Sequence, residues 1–246
     1  MTDAYRFDES STEQAIAYAK IYAGENYSPA METVLKVAFS EKRNLPTFRL
    51  KSSDTILLSG YMKKWVGAYL AGYNNRPSVR TGNCSGTHPD PMAKTILRAR
   101  ISGLEDNLAD KIVARHSLLM TIENNIGELL EEYLSVKLSP LGWYCCWGST
   151  IDAVDFCKAD GSLLQIKTSD NSENSSSSRV RQGTPIGKWF RRFSRRPGVY
   201  NWEPLNRMLG RPGYVSESDF RAFAEKTIAA NPACIYIAAN HLLNRP

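Results

Sequence analysis

The hydrophobic period of this chain changes abruptly after Leu138. Between Leu118 and Leu138 the residues Leu119, Ile122, Ile126, Leu129, Leu130, Tyr133, Leu134 and Leu138 recur at steps of three and four, the spacing of one apolar helix face. Ser139-Pro140 ends that helix, because the residue before a proline is driven out of helical backbone. Three short runs of strand character follow, Trp143–Trp147, Ile151–Cys157 and Leu163–Thr168. Lys158-Ala159-Asp160-Gly161 joins the last two, and an Asp-Gly pair is a strong hairpin signal. A helix feeding a hairpin predicts an α/β core in which the helix covers one face of a sheet.

The rest of the chain extends this core on both sides. Residues Glu13–Ala23, Met31–Phe39 and Asp54–Leu70 read as amphipathic helices, the last with a cap at Ser52 or Ser53. Arg76–Pro91 is rich in Gly, Pro, Asn and Ser and reads as a loop, followed by a helix over Pro91–Ile101 and more helix from Leu104. Beyond the basic stretch described below, Ser218–Ala230 reads as a helix closed by Asn231-Pro232, and Cys234–Ala239 as a buried strand. The expected organisation is a helical N-terminal region (1–110) and a core (111–246) with an insertion at 169–202.

Several chemistries are excluded early. The five cysteines are odd in number and form no C-x-x-C, which argues against a disulfide framework or a zinc site. The three histidines, His88, His116 and His241, are scattered, and no phosphate-cradling glycine motif or nucleophile elbow is present. No apolar run reaches the roughly 20 residues that cross a bilayer. The polar start MTDAYRFDESSTEQ lacks the marks of a secretory signal, so the expected compartment is the cytoplasm.

The hairpin IDAVDFCKADGSLLQIKTSD carries the candidate chemistry. A three-residue loop, Ala159–Gly161, sets Lys158 opposite Ser162 and Asp155 opposite Gln165. Alternation then places Gln165 and Lys167 on the face of Asp155, and Val154, Phe156, Leu164 and Ile166 on the other. A two-residue Asp160-Gly161 turn shifts the register and brings Asp152 to that face instead. An acid, an amide and a lysine so gathered suit phosphodiester hydrolysis. Carboxylate oxygens hold a hard divalent cation such as Mg²⁺, and a lysine beside it orients water or stabilises developing charge. The alternative is an ordinary cross-strand ion pair.

The formal net charge of +6 is concentrated in one place. No acid lies between Glu173 and Glu203, while Arg179, Arg181, Lys188, Arg191, Arg192, Arg195 and Arg196 do, interleaved with Trp189, Phe190, Phe193, Tyr200 and Trp202. Arginine-rich, aromatic-interleaved sequence favours a nucleic-acid surface over a solvated tail.

With nine residues between Asp155 and Gln165-x-Lys167, the hairpin resembles the PD-(D/E)xK nuclease signature. The preceding helix strengthens the likeness. Gly127, Glu131, Leu134, Leu138 and Gly142 match a G-x-x-x-E pattern with leucines three and seven residues on and a glycine eleven on, with Glu128 as the competing helix acid. The resemblance implies an α-β-β-β-α-β nuclease core with a mixed central sheet flanked by helices. It also implies Asp155, Gln165, Asp152 and Glu131 as metal ligands for Mg²⁺ and Lys167 as the group that positions water. Gln165 departs from the pattern, since the position usually holds Asp or Glu; Glu131, Asp152 or Glu173 would make up the missing charge. The run KTSDNSENSSSSRVRQGTPIGKWFRRFS is similar to the SinI/AvaII-like type II restriction endonucleases, which cut GGWCC. That likeness implies double-stranded DNA as substrate, a homodimer on a palindrome and a protective methyltransferase as functional partner. It implies base reading by Arg179, Arg181 and Gln182, and backbone contacts by Lys188, Arg191, Arg192, Arg195 and Arg196. Two alternatives remain open: a DNA-binding module that has lost catalysis, and a structure-selective repair or junction nuclease.

Overall fold

The computed structural model describes residues 7–48, 57–82, 90–171 and 186–237. Its helices are α1 (Thr12–Ala23), α2 (Pro29–Ser40), α3 (Leu58–Asn74), α4 (Pro91–Arg100), α5 (Asp106–Leu138), α6 (Trp202–Met208) and α7 (Glu217–Ala230). Local signals set several of the boundaries. Ser28 caps α2, its Oγ accepting the Met31 N–H at 3.2 Å with Pro29 in the first turn. Asp90 caps α4 in the same way through the Met92 N–H at 2.8 Å. The caps expected for α3 lie outside the described residues, and the helix runs on to Asn74, past the expected end.

The helical patterns from Leu104 and from Leu118 are one helix, α5, of 33 residues, about 50 Å at the standard rise. Its apolar face is buried chiefly in the second half, where Leu129, Leu130, Tyr133, Leu134 and Leu138 enter the core. Leu119 and Ile122, expected on that face, are exposed.

The four strands are β1 (Trp143–Cys145), β2 (Phe156–Lys158), β3 (Leu163–Ser169) and β4 (Ile186–Arg192), paired in that order. The first two pairings are antiparallel and β3–β4 is parallel. Two expectations are corrected. Ile151–Cys157 is a strand only from Phe156 on. Before it the chain turns, with Ala153 at φ 58°, because the Asp152 N–H is drawn to the Asn44 carbonyl at 2.9 Å instead of to a strand. Within Cys234–Ala239, the described residues form no strand. Pro232–Cys234 is a 3-10 turn, held by Asn231, whose Nδ2 donates to the carbonyls of Pro77 and Arg80 at 2.9 and 2.8 Å. The fourth strand comes instead from the basic stretch, and residues 238–239 lie outside the described set.

One hydrophobic cluster runs from Ala15 on α1 to Phe220 on α7, so the N-terminal helices share the core of the sheet. Two close contacts fix them to the segment between β1 and β2. Trp65 Nε1 on α3 donates to the Thr150 carbonyl at 2.9 Å. Gly72 on α3 lies so near Gly148 that an added Cβ would come within 2.3 Å of the Gly148 nitrogen. Among the described residues, no helix is long and apolar enough to cross a membrane.

Candidate active site

The β2–β3 register is that of the three-residue loop. Phe156 faces Leu164 and Cys157 faces Leu163. Lys158 N–H bonds to Ser162 O, and Gly161 turns the chain at φ 86°. One step further the strands part. Asp155 N–H still reaches the Leu164 carbonyl at 3.0 Å, but the Ile166 N–H goes to the Asp155 side chain, Oδ2 accepting at 2.7 Å. A carboxylate thus takes a place in the ladder that a strand carbonyl would fill, which fixes its orientation and leaves Oδ1 for a ligand.

Asp155, Gln165 and Lys167 line one open groove of 1160 Å³ with Asp152, Ser149, Lys42, Arg43 and Thr47. Gln165 is buried, and its Nε2 donates to the Ala153 carbonyl at 3.2 Å, which turns the amide oxygen away from that bond. The carbonyl is presented by the turn with positive φ, so the loop and the β3 side chain fix each other. Burial raises the Asp155 carboxyl to about 6, against the opposing pull of the Ile166 N–H and of the Lys167 charge, which stands next along the same face.

Glu131 reaches the site from α5 without lining the groove. Its Oε1 accepts from the Cys145 thiol at 3.4 Å. Burial, and next the Asp155 charge, raise its carboxyl to about 7. The competing helix acid Glu128 turns elsewhere, forming an ion pair with Arg80 in a separate cavity with Asn124 and Asn125.

This donor set suits a hard divalent cation. Two carboxylates lie close enough to repel in a buried setting, with Lys167 beside only one of them, and a cation would relieve that deficit. Asp152 lines the groove without completing a larger cluster. Among the described residues, no three His, Cys, Asp or Glu gather as a metal site. Asp155, Glu131 and the amide oxygen of Gln165 are the side chains that would hold the ion; Glu173 lies outside the described residues.

The basic stretch divides in two. Gln165 aligns with Lys188, Lys167 with Phe190 and Ser169 with Arg192, so alternation sets Lys188, Phe190 and Arg192 on the Gln165–Lys167 face. Trp189 and Arg191 turn to the opposite face. Arg191, grouped with the DNA-backbone contacts above, is 7% exposed and spent inside the fold. Its Nη1 donates to both Glu217 oxygens, at 2.8 and 2.9 Å. Arg195 and Arg196 are exposed in the turn after β4, with the Arg196 guanidinium 4.0 Å from the Phe193 ring centre. Arg179, Arg181 and Gln182 lie outside the described residues.

The site is thus a mixed sheet whose parting strands bring Asp155, Gln165 and Lys167 to one groove, with Glu131 supplied by α5 and an exposed basic strand alongside. The SinI restriction endonuclease family matches residues 57–230, and the chain belongs to that family. It is 44% identical over 144 residues to the type II restriction enzyme SinI of Salmonella infantis, covering 56% of this chain and 61% of that protein. It is 41% identical over 144 residues to the type II restriction enzyme Eco47I of Escherichia coli, with the same coverage of 56% and 61%. The match therefore spans about three fifths of the length of each relative.

Proposed function

We propose that this chain is a type II site-specific deoxyribonuclease that hydrolyses phosphodiester bonds in double-stranded DNA with Mg²⁺. The observation that carries this reading is the meeting of Asp155, Gln165 and Lys167 in one groove, with Glu131 behind them. Family membership supports the class of reaction, and a homodimer on a short palindrome, GGWCC, is the form it takes here. A methyltransferase of matching specificity would protect the host's own sites. We read residues 111–246 as the catalytic core, of PD-(D/E)xK type, braced by residues 1–110.

The carboxylates of Asp155 and Glu131 and the amide oxygen of Gln165 would hold the metal. Bound Mg²⁺ supplies charge neutralisation at the scissile phosphate and acidifies water. The Lys167 ammonium orients the attacking water toward phosphorus and stabilises the added negative charge. Lys188 and Arg192, on the same face, hold neighbouring phosphates, and Arg195 and Arg196 extend the grip. Digestion of DNA of known sequence in Mg²⁺, with the fragment ends mapped, tests the reading. Discrete fragments that disappear in Asp155→Ala and in Lys167→Ala support it; smears, or fragments that survive both substitutions, overturn it.

Gln165 favours a second reading, a DNA-binding module without catalysis, because the amide leaves the metal site one charge short. Tight, salt-dependent DNA binding without cutting in Mg²⁺ or Mn²⁺ would establish that module instead.

A further inference from the structure

The groove has a wall that the basic stretch does not supply. Besides Lys167, its lining includes Lys42, Arg43, Leu45, Pro46 and Thr47, from the turn that follows α2. These residues precede Asp155 by more than a hundred positions and lie before the matched family region, which begins at residue 57.

The turn is built rather than loosely attached. Asn44 is buried, and its Nδ2 donates to the Val37 carbonyl at 2.7 Å, closing the end of α2. Its own carbonyl accepts the Asp152 N–H at 2.9 Å, so the turn is joined by its backbone to the segment that carries Asp155. Leu45 is buried in the core just after it. Lys42 and Arg43 thereby stand at a fixed offset from the candidate catalytic carboxylate, on exposed backbone leading into two anchored residues. Arg43 is paired with Glu41, but both side chains are about half exposed, at 52% and 50%. Such a surface pair is weak.

We propose that Lys42 and Arg43 form a second phosphate clamp, in addition to Lys188 and Arg192, gripping the DNA backbone next to the scissile phosphate. The geometry that points to this is a pair of cations, held by Asn44 and Leu45, lining one groove with Asp155 and Lys167. The inference rests on the nuclease reading above. It adds that the N-terminal segment supplies part of the DNA-binding surface. A helical brace that never touches DNA would not need cations there.

The test measures duplex DNA binding by the whole chain across a salt series, in Ca²⁺ to hold cleavage back, together with steady-state cleavage in Mg²⁺. The variants are wild type, Lys42→Gln/Arg43→Gln, and Lys20→Gln/Lys36→Gln as a control that removes the same charge from α1 and α2. Removing one cation that sits on a phosphate lowers the slope of log affinity against log salt by about one. The expected result is a slope lower by about two in the Lys42/Arg43 variant, with KM raised about tenfold, kcat within about twofold and an unchanged melting temperature. The control keeps the wild-type slope. A wild-type slope and KM in the Lys42/Arg43 variant overturns the clamp, as does an equal change in the control, which would mark a net-charge effect only. Failure of the nuclease reading looks different: wild type itself then does not cut duplex DNA in Mg²⁺, whether or not it binds.

Discussion

The carboxylate of Asp155 accepts the backbone N–H of Ile166 at 2.7 Å, where a regular hairpin would offer a carbonyl. This one bond ties the candidate catalytic acid to the strand that carries Gln165 and Lys167. It also separates two effects of substitution. Asn at position 155 keeps an acceptor for Ile166 and removes the charge; Ala removes both. Asp155→Asn is expected to unfold near the wild-type urea midpoint while losing cleavage by at least about a hundredfold. Asp155→Ala is expected to lose cleavage equally and about 1–3 kcal/mol of stability, because it leaves a part-buried donor unpaired. Equal stability of the two variants would show that the bond contributes nothing.

The two carboxylates also make a prediction about pH. Asp155 at about 6 and Glu131 at about 7 hold protons in the folded state that the unfolded chain has already released. A raised acid pKa means that folded protein binds more protons than unfolded protein between roughly pH 4 and pH 7, so stability falls as pH rises through that window. For Glu131 the loss is on the order of 2 kcal/mol, after discounting for partial exposure. The lowered carboxylates Asp8, Glu32, Asp106, Asp160 and Asp170 act in the opposite sense, and only below about pH 4.5. Thermal melts in EDTA at pH 5.5 and pH 8 are therefore expected to differ more for wild type than for Glu131→Gln. Millimolar Mg²⁺ at pH 8 is expected to restore wild type and not the variant. Parallel pH dependence in the two proteins would refute the assignment.

The hairpin register, the Gly-x-x-x-Glu helix and the line of Asp155, Gln165 and Lys167 are legible in the sequence, because a period of two and a glycine turn are local signals. Strand β4 is not. The segment IGKWFRR alternates as a strand, with Trp189 and Arg191 inward and Lys188 and Arg192 outward, yet its charge masks its period. Arg191 shows the physical reason: a buried arginine is recognisable only from its partner, and Glu217 lies 26 residues away. The α2 turn in the groove and the break at Asp155 are equally hidden, since both follow from a backbone bond between Asn44 and Asp152 that no spacing announces.

The Arg191–Glu217 pair predicts its own outcome. Glu217 also accepts from Trp202 Nε1 at 3.1 Å and from Arg221 Nε at 3.1 Å, so β4, α6 and α7 meet on one carboxylate. Glu217→Ala leaves the Arg191 guanidinium buried without a counter-charge, at a cost of about 3–5 kcal/mol. Arg191→Met with Glu217→Leu replaces the pair by apolar groups of similar size and is expected to recover most of that loss. Urea unfolding of wild type and the two variants checks this. If Glu217→Ala alone is near neutral, the pair does not anchor the strand.

The contact between Gly72 and Gly148 tests how firmly the N-terminal helices hold the segment that bears Asp155. A Cβ at Gly72 would lie 2.3 Å from the Gly148 nitrogen, and one at Gly148 would lie 2.0 Å from the Ala68 carbonyl oxygen. Both clashes are with backbone, so neither can be relieved by a side-chain rotation. Gly72 sits inside a helix where alanine would otherwise be preferred by up to about 1 kcal/mol. Gly72→Ala nonetheless has to push α3 away from the segment, at a net cost of about 1–3 kcal/mol. Because Trp65 and Asn44 bond to that same segment, the displacement is expected to reach Asp155 and lower kcat as well as stability. Gly67→Ala, on the same helix with open space around its Cβ position, is the matched control and is expected to be neutral or stabilising. A Gly72→Ala protein as stable and active as the Gly67→Ala protein would show that α3 does not position the site.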